Sequence, residues 1–120
     1  GGGETVLVAD DQEAVRGLAR TVLERSGFRV LLARDGAEAV EVFRRERERV
    51  RVVVLDRTMP RLSGPETLRA LRALAPGVGV IMTSGYGAEP GDVAADAFLS
   101  KPYPPQMLGQ AVRRVLDSRR

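Results

Sequence analysis

Five short runs, TVLVA (5–9), FRVLLA (28–33), RVVVLD (51–56), VGVIMTS (78–84) and AFLS (97–100), are apolar along nearly their whole length. A strand with one wetted face alternates apolar and polar residues. A strand that is apolar throughout is covered on both faces, as in the parallel sheet of an α/β protein. Between these runs the apolar residues return at helical spacing. Val15, Leu18, Ala19, Val22 and Leu23 mark the inward face of a helix from about 12 to 25, closed by Ser26-Gly27, where glycine suits the left-handed position after a helix. A second helix runs from 36 to about 49 and buries Ala39, Val40 and Phe43. A third opens near Pro65, turns Leu68, Leu71, Leu74 and Ala75 inward, and stops at Pro76-Gly77. The last starts at Pro104 and Pro105 and buries Met107, Leu108, Ala111, Val112, Val115 and Leu116. Strand–helix alternation with right-handed crossovers implies a three-layer α/β domain around a five-stranded parallel sheet.

At 120 residues the chain is one domain. No apolar run approaches the ~20 residues needed to cross a bilayer, and no signal-peptide pattern opens it, so a cytoplasmic location without membrane contact is expected. With no cysteine and no histidine, disulfides, thiolate chemistry and the usual zinc sites are excluded. Only oxygen ligands remain, which suit magnesium, calcium or manganese. The net charge of +3 does not signal nucleic acid. The densest run, RRERERVR (44–51), alternates signs as a solvated helix face does, and there is no helix-turn-helix, zinc-finger or aromatic-rich sheet signature.

In a parallel sheet all carboxyl ends lie along one edge, where ligands bind. The first run delivers Asp10 and Asp11 to that edge, the third Asp56, the fourth Thr83-Ser84-Gly85 and the fifth Ser100-Lys101-Pro102. The second ends in Ala33-Arg34, which suits an outer strand. If strands one and three are neighbours, three carboxylates converge, and each like-charge pair at 4 Å costs about 4 kcal/mol at an effective dielectric of 20. Raised pKa values, a lysine or a divalent cation relieve that repulsion. Lys101 is the only lysine among 19 basic residues, so this strand end has a compact ammonium where the chain otherwise uses arginine.

VLVADD, VVVLDRTMPRLSG, IMTSG and FLSKP, in this order and each at a strand end, resemble the motifs of a response regulator receiver domain, the CheY-like phosphoacceptor module of two-component signalling. The resemblance covers essentially the whole chain. It implies a doubly wound (βα)5 flavodoxin-like fold with strand order 2-1-3-4-5, over residues 5–118, with 1–4 a linker. It also implies that Asp56 accepts a phosphoryl group from a histidine kinase or histidine phosphotransfer protein. Asp10, Asp11, Asp56 and the Thr58 carbonyl would hold Mg2+, Lys101 would pair with the phosphoryl oxygens, and Ser84 would donate its hydroxyl to them. Phe98 sits where the family has a moving aromatic, although plain core packing accounts for it equally well. Lys101-Pro102 is a candidate cis peptide.

Simpler roles exist for several of these residues. Asp56 could be a turn residue, and Asp10 and Asp11 could cap a helix. Thr83 rivals Ser84, and the family spacing before Gly85 favours Ser84. Gln12 replaces the acidic residue that often follows the Asp pair. Thr58 and Tyr86 flank the route of an attacking water and are expected to shield the acyl phosphate. The segment GYGAEPGDVAAD carries Pro90-Gly91, so a short or irregular fourth helix is expected, with residues 87–95 mobile and partner contacts shifted towards the first or last helix. The organisation resembles the receiver at the end of a hybrid sensor histidine kinase, with a stand-alone regulator as the next choice. A monomer or weak dimer that is not itself an enzyme is expected. The alternative is a phosphatase of the haloacid-dehalogenase type with Asp56 as nucleophile, but that family wants a second Asp where Thr58 stands.

Overall fold

The computed structural model describes residues 3–85 and 94–118. Five parallel strands, β1 (Thr5–Ala9), β2 (Arg29–Ala33), β3 (Val50–Asp56), β4 (Gly79–Ser84) and β5 (Ala97–Ser100), form one sheet in the order β2-β1-β3-β4-β5. Four helices are present among the described residues: α1 (Glu13–Arg25), α2 (Gly36–Glu46), α3 (Gly64–Leu74) and α4 (Pro105–Ser118). The expected irregularity over 87–95 falls almost wholly on residues outside the described ones, as do Tyr86, Pro90 and Gly91.

Alternation along the strands sorts the apolar residues into two cores. Leu7, Ala9, Val53, Leu55, Val80 and Met82 face Phe43, Leu68 and Leu71 of α2 and α3. Val6, Val8, Val52, Val54, Ile81 and Leu99 face Ala19 and Leu23 of α1 and Leu108, Val112 and Leu116 of α4. Because both faces are covered, β1, β3 and β4 carry polar residues only near their ends. β2 lies at the edge, as the bland end of its run suggested, and is only partly buried except at Ala33.

Local signals set the helix limits. Asp35 caps α2 by accepting from the Glu38 amide, and Ser63 and Glu66 form a reciprocal capping box at α3. Gly27 follows α1 at φ 92°, the left-handed conformation that glycine adopts without strain. The N-cap of α1 is Gln12, with no side-chain capping bond, so neither Asp10 nor Asp11 is a helix cap.

Two residues expected in the core are exposed, Leu18 at 56% and Met107 at 43%, and Val15 and Val22 of the expected inward face are only half-buried. The buried stripe of α1 is centred on Ala19 and Leu23, and Leu18 is one residue, about 100° of rotation, away from Ala19. α2 ends at Glu46, earlier than its periodicity suggested, and buries Val42 in addition to Ala39 and Phe43, while Val40 is only half-buried.

Asp96 completes the sheet just before β5. Its carboxylate accepts from the Val80 amide at 2.7 Å and from Arg72 Nη2 at 2.9 Å, while its own amide donates to the Val80 carbonyl at 2.8 Å. Asp96→Ala removes the acceptor of a buried strand amide and of a partly buried guanidinium. It should lower stability by about 2 kcal/mol, read as a reduced urea midpoint at unchanged m-value.

Candidate functional site

Register sets the residues at the carboxyl edge. Ala9 pairs with Leu55, Asp56 with Thr83 and Ser84 with Ser100, so Asp10, Asp56, Ser84 and Lys101 stand at or one residue beyond the ends of four adjoining strands. Asp10, Asp11 and Asp56 each offer a carboxylate oxygen within 4.8 Å of the others. The Lys101 ammonium donates to Asp10 Oδ2 at 2.8 Å and lies 3.4 Å from Asp56 Oδ1. Three carboxylates against one ammonium leave this edge negative.

The charges are mutually perturbed. Burial raises the Asp56 carboxyl to about 6, the Asp10 charge adds to the rise, and Lys101 and the Thr58 amide oppose it. Burial works against the Lys101 ammonium, but the hydrogen bond and charge of Asp10, with those of Asp56, outweigh it and hold its pKa above the usual lysine value. A divalent cation among these oxygens offsets both the burial and the repulsion at Asp56. The donors are all hard oxygens in a chain without histidine or cysteine, so the set fits Mg2+.

Asp10, only 3% exposed, is held on every side. Its amide donates to the Ala33 carbonyl, its Oδ1 accepts from the Gln12 amide at 2.9 Å, and its carbonyl accepts from Arg16 Nη1 at 2.8 Å. Asp11 is exposed at the mouth. Thr83 and Ser84 are both buried, but the Thr83 hydroxyl donates to the Leu55 carbonyl within the sheet. The Ser84 carbonyl accepts from the Lys101 amide at 2.7 Å, tying the end of β4 to the lysine. The Lys101-Pro102 peptide is cis.

Phe98 is half-buried against the core shared with α2 and α3, and the Arg57 guanidinium lies 5.5 Å from its ring centroid. Arg57, 9% exposed and directly after Asp56, and Arg16 were both missed in the sequence. Nothing in the pattern distinguishes either from the many surface arginines, because each role depends on where a long side chain folds back. Beside the site, α1 and the start of α4 enclose an open groove of about 470 Å³, lined by Val15, Leu18, Val22, Tyr103, Pro105 and Leu108 and reaching Lys101.

Residues 6–113 match the response regulator receiver domain family. The sensor kinase CckA of Brucella abortus is 36% identical over 97% of this chain, which spans only 13% of that protein's length. A CheY-like receiver domain protein from Methanospirillum hungatei superposes with a TM-score of 0.88 at 28% identity, covering 98% of this chain and 96% of that one. The response regulator TrrA from Thermotoga maritima, in complex with Mg(2+)-BeF, superposes with a TM-score of 0.86 at 27% identity, covering 94% and 99%.

Proposed function

The chain belongs to the response regulator receiver family, and we propose that Asp56 is its phosphoacceptor, with the acidic edge around it as the phosphoryl-transfer machinery. The observation that carries this is the Lys101 ammonium set between Asp10 and Asp56. A turn aspartate needs no such arrangement, whereas a carboxylate that must receive a dianionic group does.

In the proposed step an Asp56 oxygen attacks the phosphorus of a phosphohistidine. The P–N bond breaks with its electron pair leaving on the imidazole, and an acyl phosphate remains on Asp56. Asp10, Asp11, Asp56 and the Thr58 carbonyl are the proposed Mg2+ ligands, and the bound ion supplies charge neutralisation for the transferring oxygens. Lys101 pairs with those oxygens, and the Ser84 hydroxyl donates to them. The Thr83 hydroxyl, engaged with the Leu55 carbonyl, supports that choice. Phe98 is the proposed switch aromatic. The haloacid-dehalogenase alternative is not favoured, since Thr58 stands where its second aspartate belongs.

Receiver domains interact with histidine kinases or phosphotransfer proteins, and for this chain we place that contact on the apolar groove beside α1, where exposed Leu18 lies within reach of the acceptor edge. The proposed domain is 5–118, although Glu4, placed in the preceding linker 1–4, is tied to it by the Arg29 amide at 2.9 Å and by Arg113 at 3.4 Å. It is a cytoplasmic monomer or weak dimer of a hybrid sensor histidine kinase, without nucleic-acid or membrane contacts of its own. Among the described residues no helix is long and apolar enough to cross a membrane.

The test is stoichiometric. With a small phosphodonor and Mg2+ the chain should gain one phosphoryl group per molecule, read by intact mass, and should not turn over phosphomonoesters. Sustained turnover would favour the phosphatase reading, and the absence of both uptake and turnover would refute both. Lys101→Arg keeps the charge but replaces a compact ammonium with a broad planar fork. It should fold normally yet lose most of the amide chemical-shift response to beryllofluoride. A wild-type response would reduce Lys101 to a structural ion pair.

A further inference from the structure

Arg16 sits in the opening turn of α1, where the helix dipole disfavours a cation, so helix stability does not explain it. Helical side chains lean towards the N-terminus. Arg16 follows that lean past Gln12 and donates Nη1 to the backbone carbonyl of Asp10 at 2.8 Å. A cation placed only to offset the acidic edge would pair with a carboxylate. Arg16 instead spends its hydrogen bond on the main chain, at the residue between β1 and the exposed Asp11. The Asp10 carboxylate is already engaged by the Gln12 amide and Lys101, so the Arg16 bond fixes the peptide that joins Asp10 to Asp11.

We infer that Arg16 is a positioning residue for the divalent-cation site, holding the Asp10–Asp11 peptide so that both carboxylates face Asp56. This rests on reading Asp10 and Asp11 as metal ligands. Arg16 acts through the loop and touches neither the cation nor the phosphoryl group. The tether and the bare charge predict opposite signs. Removing a nearby cation by itself strengthens binding of a divalent ion. Removing a group that orients a metal ligand weakens it, typically by tenfold or more.

Calorimetric titration of Mg2+ into this chain, with no phosphodonor, separates the two. Arg16→Met keeps the apolar stem and loses the donor; it should bind Mg2+ about tenfold more weakly than wild type. Thermal unfolding in chelator checks that the variant is folded at the titration temperature. Equal or tighter binding by folded Arg16→Met overturns the inference and leaves the ligand assignment standing. Absence of Mg2+ binding by wild type overturns both. If Arg16→Met does not fold, Arg16→Gln, which removes the charge and is too short to keep the bond to the Asp10 carbonyl, carries the test. About tenfold weaker binding is expected in that folded variant, and equal or tighter binding overturns the inference.

Discussion

Asp56→Asn should take up no phosphoryl group under conditions that load every wild-type molecule, and chelation of Mg2+ should have nearly the same effect on the wild type. The asparagine is close to the carboxylate in shape, and it retains an oxygen for the Thr58 amide, so the fold should survive. It lacks the anionic oxygen that attacks phosphorus. It also removes one of the three carboxylates that lie within 4.8 Å of one another. The metal's share is large because phosphoryl transfer depends on neutralising the moving oxygens, and loss of several kcal/mol of transition-state stabilisation slows uptake by at least about a hundredfold. Intact mass after timed incubation reads both effects. An adduct that persists in Asp56→Asn, or uptake by the wild type at full rate in chelator, would place the chemistry elsewhere.

A large structural effect that reaches the site is expected at Gly64. A Cβ there would lie 2.7 Å from Arg57 Cα, 2.7 Å from Met82 Sδ and 2.8 Å from the Asp56 carbonyl oxygen. Two of those three atoms belong to the backbone of Asp56 and Arg57, and the Gly64 amide is bonded to the Arg57 carbonyl at 2.7 Å. The methionine sulfur can yield; the chain at Asp56 and Arg57 yields only by shifting the Asp56 carboxylate, the proposed acceptor. Gly64→Ala should therefore cost about 1–3 kcal/mol and also slow phosphorylation of the molecules that remain folded. Gly17 is the control. It lies within α1, and a Cβ added there meets nothing within 4 Å. Gly17→Ala should stabilise by about 0.5–1 kcal/mol, because alanine loses less backbone freedom in a helix. Thermal unfolding of the pair should move in opposite directions. A neutral Gly64→Ala would mean that the loop after β3 relaxes freely.

The strands and the residues at their ends were legible because both follow from short-range pattern. Valines and leucines without polar interruption report two covered faces, and aspartates or a lysine directly after such a run must lie on the sheet edge. The strand order was supplied by the resemblance, since nothing in RVVVLD says which strand it adjoins. Leu18 and Met107 were misplaced because a periodic stripe gives the direction of a helix face but not its breadth. Asp96 was passed over because its partners, Val80 and Arg72, lie 16 and 24 residues away. Arg16 and Arg57 were hidden by composition: in a chain with so many arginines, one that turns inward has no distinctive spacing.

Lys101 meets Asp10 across 91 residues of chain. While the polypeptide is being synthesised, β1 and β3 can pair and bring the acidic cluster together before the last strand has left the ribosome. Such an unfinished chain can already hold the three carboxylates together, but not the ammonium that Asp10 and Asp56 share. On the proposed roles, competence to respond arrives last, with β5. A chain ending before Lys101 should therefore give no beryllofluoride response, and it also lacks Leu108, Val112 and Leu116 of one of the two cores.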